Sequence, residues 1–157
     1  MDNSPEAQAM IDQATVERGR FFSLSLNMLC IAGFDGYFKH LNPVWEQTLG
    51  YTNEELLSKP FLDFVHPDDQ EATIAEAGKL ANGGVTRSFE NRYRCKDGTY
   101  RWLIWNAFPL IDQQLIYATA RDVTDLKREE RRLAAQYEVT RVLAESATLA
   151  DAMPKII

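Results

Sequence analysis

The sequence has few of the residue patterns that carry catalytic or metal chemistry. Its 157 residues include two cysteines and two histidines, and these form no metal-ligand motif. It holds no glycine-rich loop that would bind phosphate and no nucleophile paired with a base. The carboxylates Asp68 and Asp69 stand at a predicted helix start, where acidic residues stabilise the helix dipole. The sequence therefore predicts a chain that is not itself an enzyme and holds no metal.

Further absences limit the partners and the location. The net charge of -6 argues against a nucleic-acid partner, because such proteins usually carry a basic face. No apolar run reaches the length of about 18 residues that a membrane span requires. The N-terminus lacks the basic and apolar regions of a signal peptide. Cys30 and Cys95 lie far apart and are interpreted as reduced thiols. We expect a cytoplasmic protein without membrane insertion in this segment.

The hydrophobic pattern predicts an α+β domain flanked by two helices. The predicted strands cover residues 29–34, 37–42, 85–95, 99–110 and 114–121. The predicted helices cover residues 5–20, 43–49, 52–57, 68–81 and 124–147. Ser4 is expected to cap the first helix, Gly19 to end it, and Thr52 and Glu55 to form a capping box. Strands grouped around a helical middle predict a five-stranded antiparallel sheet with short helices on one face.

The alternation of side chains on two predicted strands identifies a possible pocket wall. A three-residue loop at 96–98 pairs Tyr93 with Arg101 and places odd-numbered residues of both strands on one face. The even positions hold Glu90, Arg92 and Arg94, so we expect the odd face to be the inner one. The pocket candidates are Phe89, Asn91, Tyr93, Leu103, Trp105, Ile116, Ala118 and Ala120. An apolar wall with one amide and one phenol is typical of a small-molecule pocket. The alternative is a filled core in which backbone groups satisfy the amide.

The outer face and the two terminal helices predict a homodimer. Trp102 and Ile104 fall among charged residues on the outer face and need a cover. The N-terminal stripe around Met10 and Ile11 could supply it, within one chain or across a dimer. The seven-residue repeat of the last helix is interrupted by polar residues, which predicts a weak coiled coil. The residues assigned to the dimer and the outer face are Met10, Ile11, Trp102, Ile104, Leu126, Leu133 and Tyr137.

Taken in order, several short motifs resemble a PAS domain with its C-terminal PAC segment. The motifs are Phe34-Asp35-Gly36-Tyr37-Phe38, Asn42-Pro43, Leu49-Gly50-Tyr51, Val65-His66-Pro67-Asp68-Asp69, residues 94–98, Arg101-Trp102 and Arg121-Asp122-Val123-Thr124. The resemblance implies a five-stranded sheet and a helical cover around a small cavity. It also implies a signalling protein, most often a sensor histidine kinase of a two-component system or a cyclic-dinucleotide enzyme. Asp122 and Thr124 are the predicted signal-coupling residues, since they join the last strand to the last helix.

The same resemblance bears on cofactors. Oxygen-sensing haem PAS domains carry a histidine on the long helix, and residues 68–81 contain none. Light-sensing PAS domains form a covalent flavin adduct with a cysteine, and residues 58–64 contain none. Both cofactor modes are therefore disfavoured. Noncovalent flavin is left open, with Asn91 and Trp105 as candidate contacts; otherwise the sequence predicts no cofactor or a small molecule that it does not identify.

The domain organisation follows from these assignments. We expect an N-terminal helix at 1–20, the PAS/PAC domain at 21–123 and a signalling linker helix at 124–147. Residues 137–152 are similar to the entry helix of a GAF domain, so 148–157 are expected to begin a following domain. Two functions are left open. The chain is a ligand-responsive sensor that acts on downstream domains of the same chain, or it is a ligand-free dimerisation module.

Overall fold

The computed structural model describes residues 4–152 of the chain. The helices are α1 (Pro5–Leu24), α2 (Val44–Leu49), α3 (Asn53–Leu57), α4 (Gln70–Ala81) and α5 (Thr124–Ala152). The strands are β1 (Met28–Gly33), β2 (Phe38–Leu41), β3 (Thr86–Arg94), β4 (Tyr100–Leu110) and β5 (Leu115–Asp122). Short 3-10 turns occupy Phe61–Phe64, Pro67–Asp69 and Ile111–Gln113. The chain divides into two units, the first ending at Asp122 and the second beginning at Val123.

The five strands form one antiparallel sheet in the order β2-β1-β5-β4-β3. This confirms the predicted α+β fold class. The first and last strands are neighbours inside the sheet, where Cys30 on β1 lies opposite Ala118 on β5. Periodicity alone could not give this strand order, because alternation reports which face a residue occupies and not which strand is its neighbour.

Local signals at the helix ends act as the sequence predicts. The Ser4 side chain accepts a hydrogen bond from the Ala7 backbone N–H at 3.2 Å. Thr52 and Glu55 form the capping box at the start of α3. Gly50 ends α2 with φ at 85°, a left-handed conformation that a residue with a Cβ adopts only under strain. These caps fix the boundaries of the short helices that precede α4.

The predicted ends of two helices are wrong. α1 continues through Gly19 to Leu24, four residues beyond the predicted end at residue 20. A mid-helix glycine costs only about 1 kcal/mol, so it weakens a helix without ending it. α5 continues beyond residue 147 to Ala152, so residues 148–152 extend this helix. The remaining residues assigned to a following domain, 153–157, lie outside the described part of the chain.

The edge strand β3 is covered by the segment that leads into α4. Val65 forms a β-bridge with Tyr93, and the His66 backbone N–H donates to the Arg92 carbonyl at 2.9 Å. The Arg92 backbone N–H donates in turn to the Asp69 carboxylate at 2.8 Å. An uncovered edge strand offers such groups to other chains. Here the same contacts also hold the start of α4 beside the sheet.

Candidate functional site

A small cavity lies between α4 and the inner face of the sheet. Its volume is about 70 Å³. Its lining residues are Cys30, Ala32, Phe38, Phe61, Thr73, Glu76, Ala77, Leu80, Thr86, Phe89, Asn91, Tyr93, Trp105, Ala107, Ile116 and Ala118. Most of these side chains are apolar or aromatic, which is the composition of small-molecule pockets.

The register of β3 and β4 agrees with the predicted alternation. Tyr93 lies opposite Arg101, and Asn91 lies opposite Leu103. Of the eight pocket candidates, seven are buried and Phe89 is half-buried. Six of them line the cavity: Phe89, Asn91, Tyr93, Trp105, Ile116 and Ala118. Leu103 on β4 and Ala120 on β5 are buried but are not part of the cavity lining.

A chain of side-chain hydrogen bonds crosses the cavity wall. The Trp105 indole N–H donates to the Asn91 Oδ1 at 2.7 Å, and the Asn91 Nδ2 donates to the Thr73 hydroxyl at 3.1 Å. The Thr73 hydroxyl donates to the Asp69 backbone carbonyl at 2.7 Å. The alternative in which backbone groups satisfy Asn91 is therefore wrong, because its partners are the side chains of Trp105 and Thr73. The chain ties β4 and β3 to the first turn of α4.

The ionisable groups deep in the cavity are neutral at physiological pH. Burial raises the pKa of the Cys30 thiol to about 12, since no charge partner offsets the loss of water. Burial also raises the pKa of Tyr93 well above its usual value, and the neighbouring Cys30 adds to the shift. The cavity therefore offers a phenol and a thiol, both protonated, and neither forms an ion pair with a charged ligand.

The rim of the cavity carries one charged residue that already has partners. The Thr86 hydroxyl donates to the Glu76 carboxylate at 2.8 Å, which joins β3 to α4. Lys79 approaches the same carboxylate at 3.8 Å. These contacts occupy Glu76 and leave the interior without an unpaired charge.

The outward side of the same region carries an ion pair that the sequence analysis missed. The Nε and Nη2 atoms of Arg92 each donate to the Asp69 carboxylate at 2.8 Å. The Arg92 guanidinium also lies over the Trp102 ring, with its Cζ 4.9 Å from the ring centroid. The ion pair lowers the pKa of Asp69 below its usual value. The prediction that Asp69 only stabilises the helix dipole was therefore incomplete. Half-buried Trp102 has a cover within its own chain.

Comparison with known proteins agrees with this architecture. Residues 38–115 match the family model described as PAS fold. A domain of the sensory box sensor histidine kinase/response regulator from Geobacter sulfurreducens has a similar structure, with 22% identity and a TM-score of 0.62 over 72% of this chain and 96% of that one. A PAS domain from Colwellia psychrerythraea has 22% identity and a TM-score of 0.63 over 71% and 98% of the two chains. This chain contains a PAS domain.

Curated relatives of this PAS domain are signalling proteins. The protein named "Probable diguanylate cyclase DgcE" of Escherichia coli (strain K12) is 30% identical over 129 residues, which cover 78% of this chain. The Aerotaxis receptor of the same organism is 29% identical over 84 residues, or 54% of this chain. The matched segments span only 11% and 17% of those two proteins. The PAS domain is a sensory module and not a catalytic one.

The PAS domain ends at a predicted signal-coupling residue. The Arg101 Nη1 lies 3.3 Å from the Asp122 Oδ2, so an ion pair joins β4 to the last residue of β5. Arg101 is an odd-numbered residue of β4, the parity of the inner face, and this ion pair gives its charge a partner. Thr124, the second predicted coupling residue, is buried. The coupling role of both residues stays a prediction.

The residues assigned to the dimer are largely exposed. Met10 and Ile11 on α1 are 73% and 59% exposed, so they do not cover the outer face of the sheet in this chain. Leu126, Leu133 and Tyr137 on α5 are exposed, while Ile104 is half-buried. The sequence analysis missed another exposed pair, Phe108 and Tyr117, which lie opposite each other on β4 and β5.

Two further observations concern metals and membranes. Across residues 4–152, no cluster of three or more histidine, cysteine or acidic side chains could hold a metal ion. In the same part of the chain, none of the helices has the length and apolar character needed to cross a bilayer.

Proposed function

We propose that this PAS domain is the input module of a larger signalling protein and that it passes changes in its cavity to α5. The observation that carries the proposal is the position of β5. Ile116 and Ala118 on this strand line the cavity. β5 ends at Asp122 and α5 begins at Thr124, so one intervening residue joins the strand that forms the cavity floor to the output helix. A displacement of β5 would therefore be transmitted to α5 through a short stretch of backbone.

The ion pair at the end of β5 supports this route. Arg101 fixes Asp122 to the neighbouring strand, so movement of β4 or β5 is shared at the point where the sheet ends. We expect Asp122→Ala to weaken coupling more than it destabilises the sheet, because a partly exposed ion pair contributes about 0–1 kcal/mol to stability.

The output is proposed from the relatives. A sensor histidine kinase and a diguanylate cyclase are among the proteins similar to this chain. We propose a histidine kinase of a two-component system, or a cyclic-dinucleotide enzyme, as the downstream part of the same protein. Free, buried Cys30 and Cys95 suit a reducing cytoplasm. Exposed apolar residues on α1 and α5 support a homodimer through these helices, since a symmetric pair would move both output helices together.

Noncovalent flavin does not fit the cavity as it stands. A cavity of about 70 Å³ is smaller than the three-ring system of a flavin. The two candidate contacts, Asn91 and Trp105, already hydrogen-bond each other at 2.7 Å. The ligand-free dimerisation module is the second candidate function, and this internally satisfied pair is the observation that favours it.

A cavity-filling substitution tests the relay. Ala118→Val adds two methyl groups to the cavity floor, and Thr119→Val changes the next residue, which points to the exposed face. Amide hydrogen exchange should change in residues 124–147 for Ala118→Val and stay at the wild-type rate for Thr119→Val. Equal exchange in α5 for both variants, with the cavity filled, would remove the relay and leave the dimerisation module.

A further inference from the structure

One buried polar group has no partner in the described part of the chain. Tyr93 is only 2% exposed, and its ring packs against Trp45 and Trp105 at centroid distances of 6.2 and 5.5 Å. Its hydroxyl makes no hydrogen bond to any residue between 4 and 152. Within those residues no fully enclosed side-chain oxygen or nitrogen lacks a partner, so the hydroxyl opens onto space. The cavity that Tyr93 lines is that space.

The other oxygen and nitrogen groups of the cavity side chains already have hydrogen-bond partners. Trp105, Asn91 and Thr73 hydrogen-bond in sequence, and Thr86 donates to Glu76. The interior therefore presents an apolar surface with one unsatisfied phenol and the Cys30 thiol, which is only a weak donor. A tyrosine hydroxyl donates one hydrogen bond. The matching ligand needs one acceptor and an otherwise apolar body, and it must be neutral because an unpaired buried charge is costly.

Water is a poor occupant of this cavity. A buried water typically needs two to four polar partners, and an apolar cavity of about 150 Å³ stays dry and binds benzene instead. Here the Tyr93 hydroxyl and the weakly donating Cys30 thiol are the polar groups of the cavity without a partner among residues 4–152. The cavity of about 70 Å³ is roughly half the size that holds six carbon atoms, which sets the ligand at about three or four non-hydrogen atoms.

We propose that the cavity binds a small neutral carbonyl compound, a short ketone or aldehyde, whose oxygen accepts the hydrogen bond of the Tyr93 hydroxyl. The inference rests on the proposed sensory function and names the ligand class for that site. The aromatic packing around Tyr93 holds the phenol in place before the ligand binds. The protein therefore loses little conformational entropy on binding. The alkyl part of the ligand contacts Ile116 and Ala118, the two β5 residues of the cavity floor.

Two isosteric probes test the ligand class on the whole chain. Acetone has the acceptor, and isobutene has the same shape without it. Binding is followed by the NMR shifts of the Ile116 and Ala118 methyl groups. We expect saturable binding of acetone to the wild-type chain. The affinity for acetone should fall by about threefold to tenfold in Tyr93→Phe, because one hydrogen bond is lost. The affinity for isobutene should be equal or higher in Tyr93→Phe.

A readout in the wild-type chain keeps the test decisive if Tyr93→Phe does not fold. The ¹³Cζ shift of Tyr93 reports hydrogen bonding of its hydroxyl and should move with acetone but not with isobutene. Equal acetone affinity in both chains, an unmoved ¹³Cζ signal, or no saturable methyl shift with acetone would each overturn the ligand class.

Amide exchange in α5 separates this inference from the sensory relay. If acetone binds through Tyr93 and α5 exchange is unchanged, the ligand class stands and the relay fails. If Ala118→Val changes α5 exchange while acetone does not bind, the relay stands and the ligand class fails.

Discussion

Removal of the Trp105 side chain should strongly destabilise this PAS domain. It is 8% exposed, packs against Trp45 and Tyr93 at 5.8 and 5.5 Å, and donates to Asn91. Truncating a buried tryptophan to alanine costs about 3–5 kcal/mol. The lost donor adds about 1–3 kcal/mol if Asn91 finds no water, and less if water enters. We therefore expect Trp105→Ala to lower the free energy of unfolding by about 4 kcal/mol.

Trp105→Phe separates the two contributions. Phenylalanine keeps most of the ring packing and removes the N–H, so the expected loss is about 1–2 kcal/mol. Urea unfolding followed by circular dichroism measures both variants, with equal m-values required for the comparison. Glu90→Ala is the control, because Glu90 is exposed on the outer face and should change stability by about 0.5 kcal/mol or less. A larger loss for Glu90→Ala than for Trp105→Ala would refute the assignment of inner and outer faces.

Three further predictions concern charge, assembly and colour. Asp69→Asn should cost about 2 kcal/mol, since it breaks a partly buried ion pair with Arg92. Because the pKa of Asp69 is lowered in the folded state, its contribution is complete above its ordinary value of about 3.9 and is lost as pH falls through the lower folded value. Urea melts between neutral and acidic pH should therefore converge for wild type and Asp69→Asn, and parallel curves would contradict this origin. Sedimentation equilibrium should show dimers with a micromolar dissociation constant, and a strict monomer at high concentration with α5 intact would remove the dimer. Purified protein should be colourless, whereas a stoichiometric visible absorption band would show a bound chromophore.

The sheet register could be predicted because two local rules agree. The loop at 96–98 sets the pairing of Tyr93 with Arg101, and the charges at even positions decide which face is outer. The same argument placed Asn91 and Trp105 on the inner face. Neither rule depends on contacts distant in sequence, so both can be read from the chain alone.

The partners of these inner residues could not be predicted in the same way. Thr73 lies 18 residues before Asn91, on a helix whose rotation against the sheet no local pattern specifies. Asp69 and Arg92 are 23 residues apart, and their pairing depends on β3 being an edge strand. A residue's face follows from alternation, but its hydrogen-bond partner follows from tertiary packing. The cavity volume is the space that this tertiary packing leaves unfilled, and no sequence pattern predicts it.

Asp69 links the inner and outer sides of the domain, which gives the cavity wall a second connection besides β5. Its backbone carbonyl receives the last hydrogen bond of the chain that starts at Trp105, and its carboxylate holds Arg92 over Trp102. A rotation of the Trp105 ring would therefore alter the start of α4 and, through it, the outer face. This geometry fixes where coupling would be measured: between the indole inside the cavity and the indole on the opposite face of the same sheet.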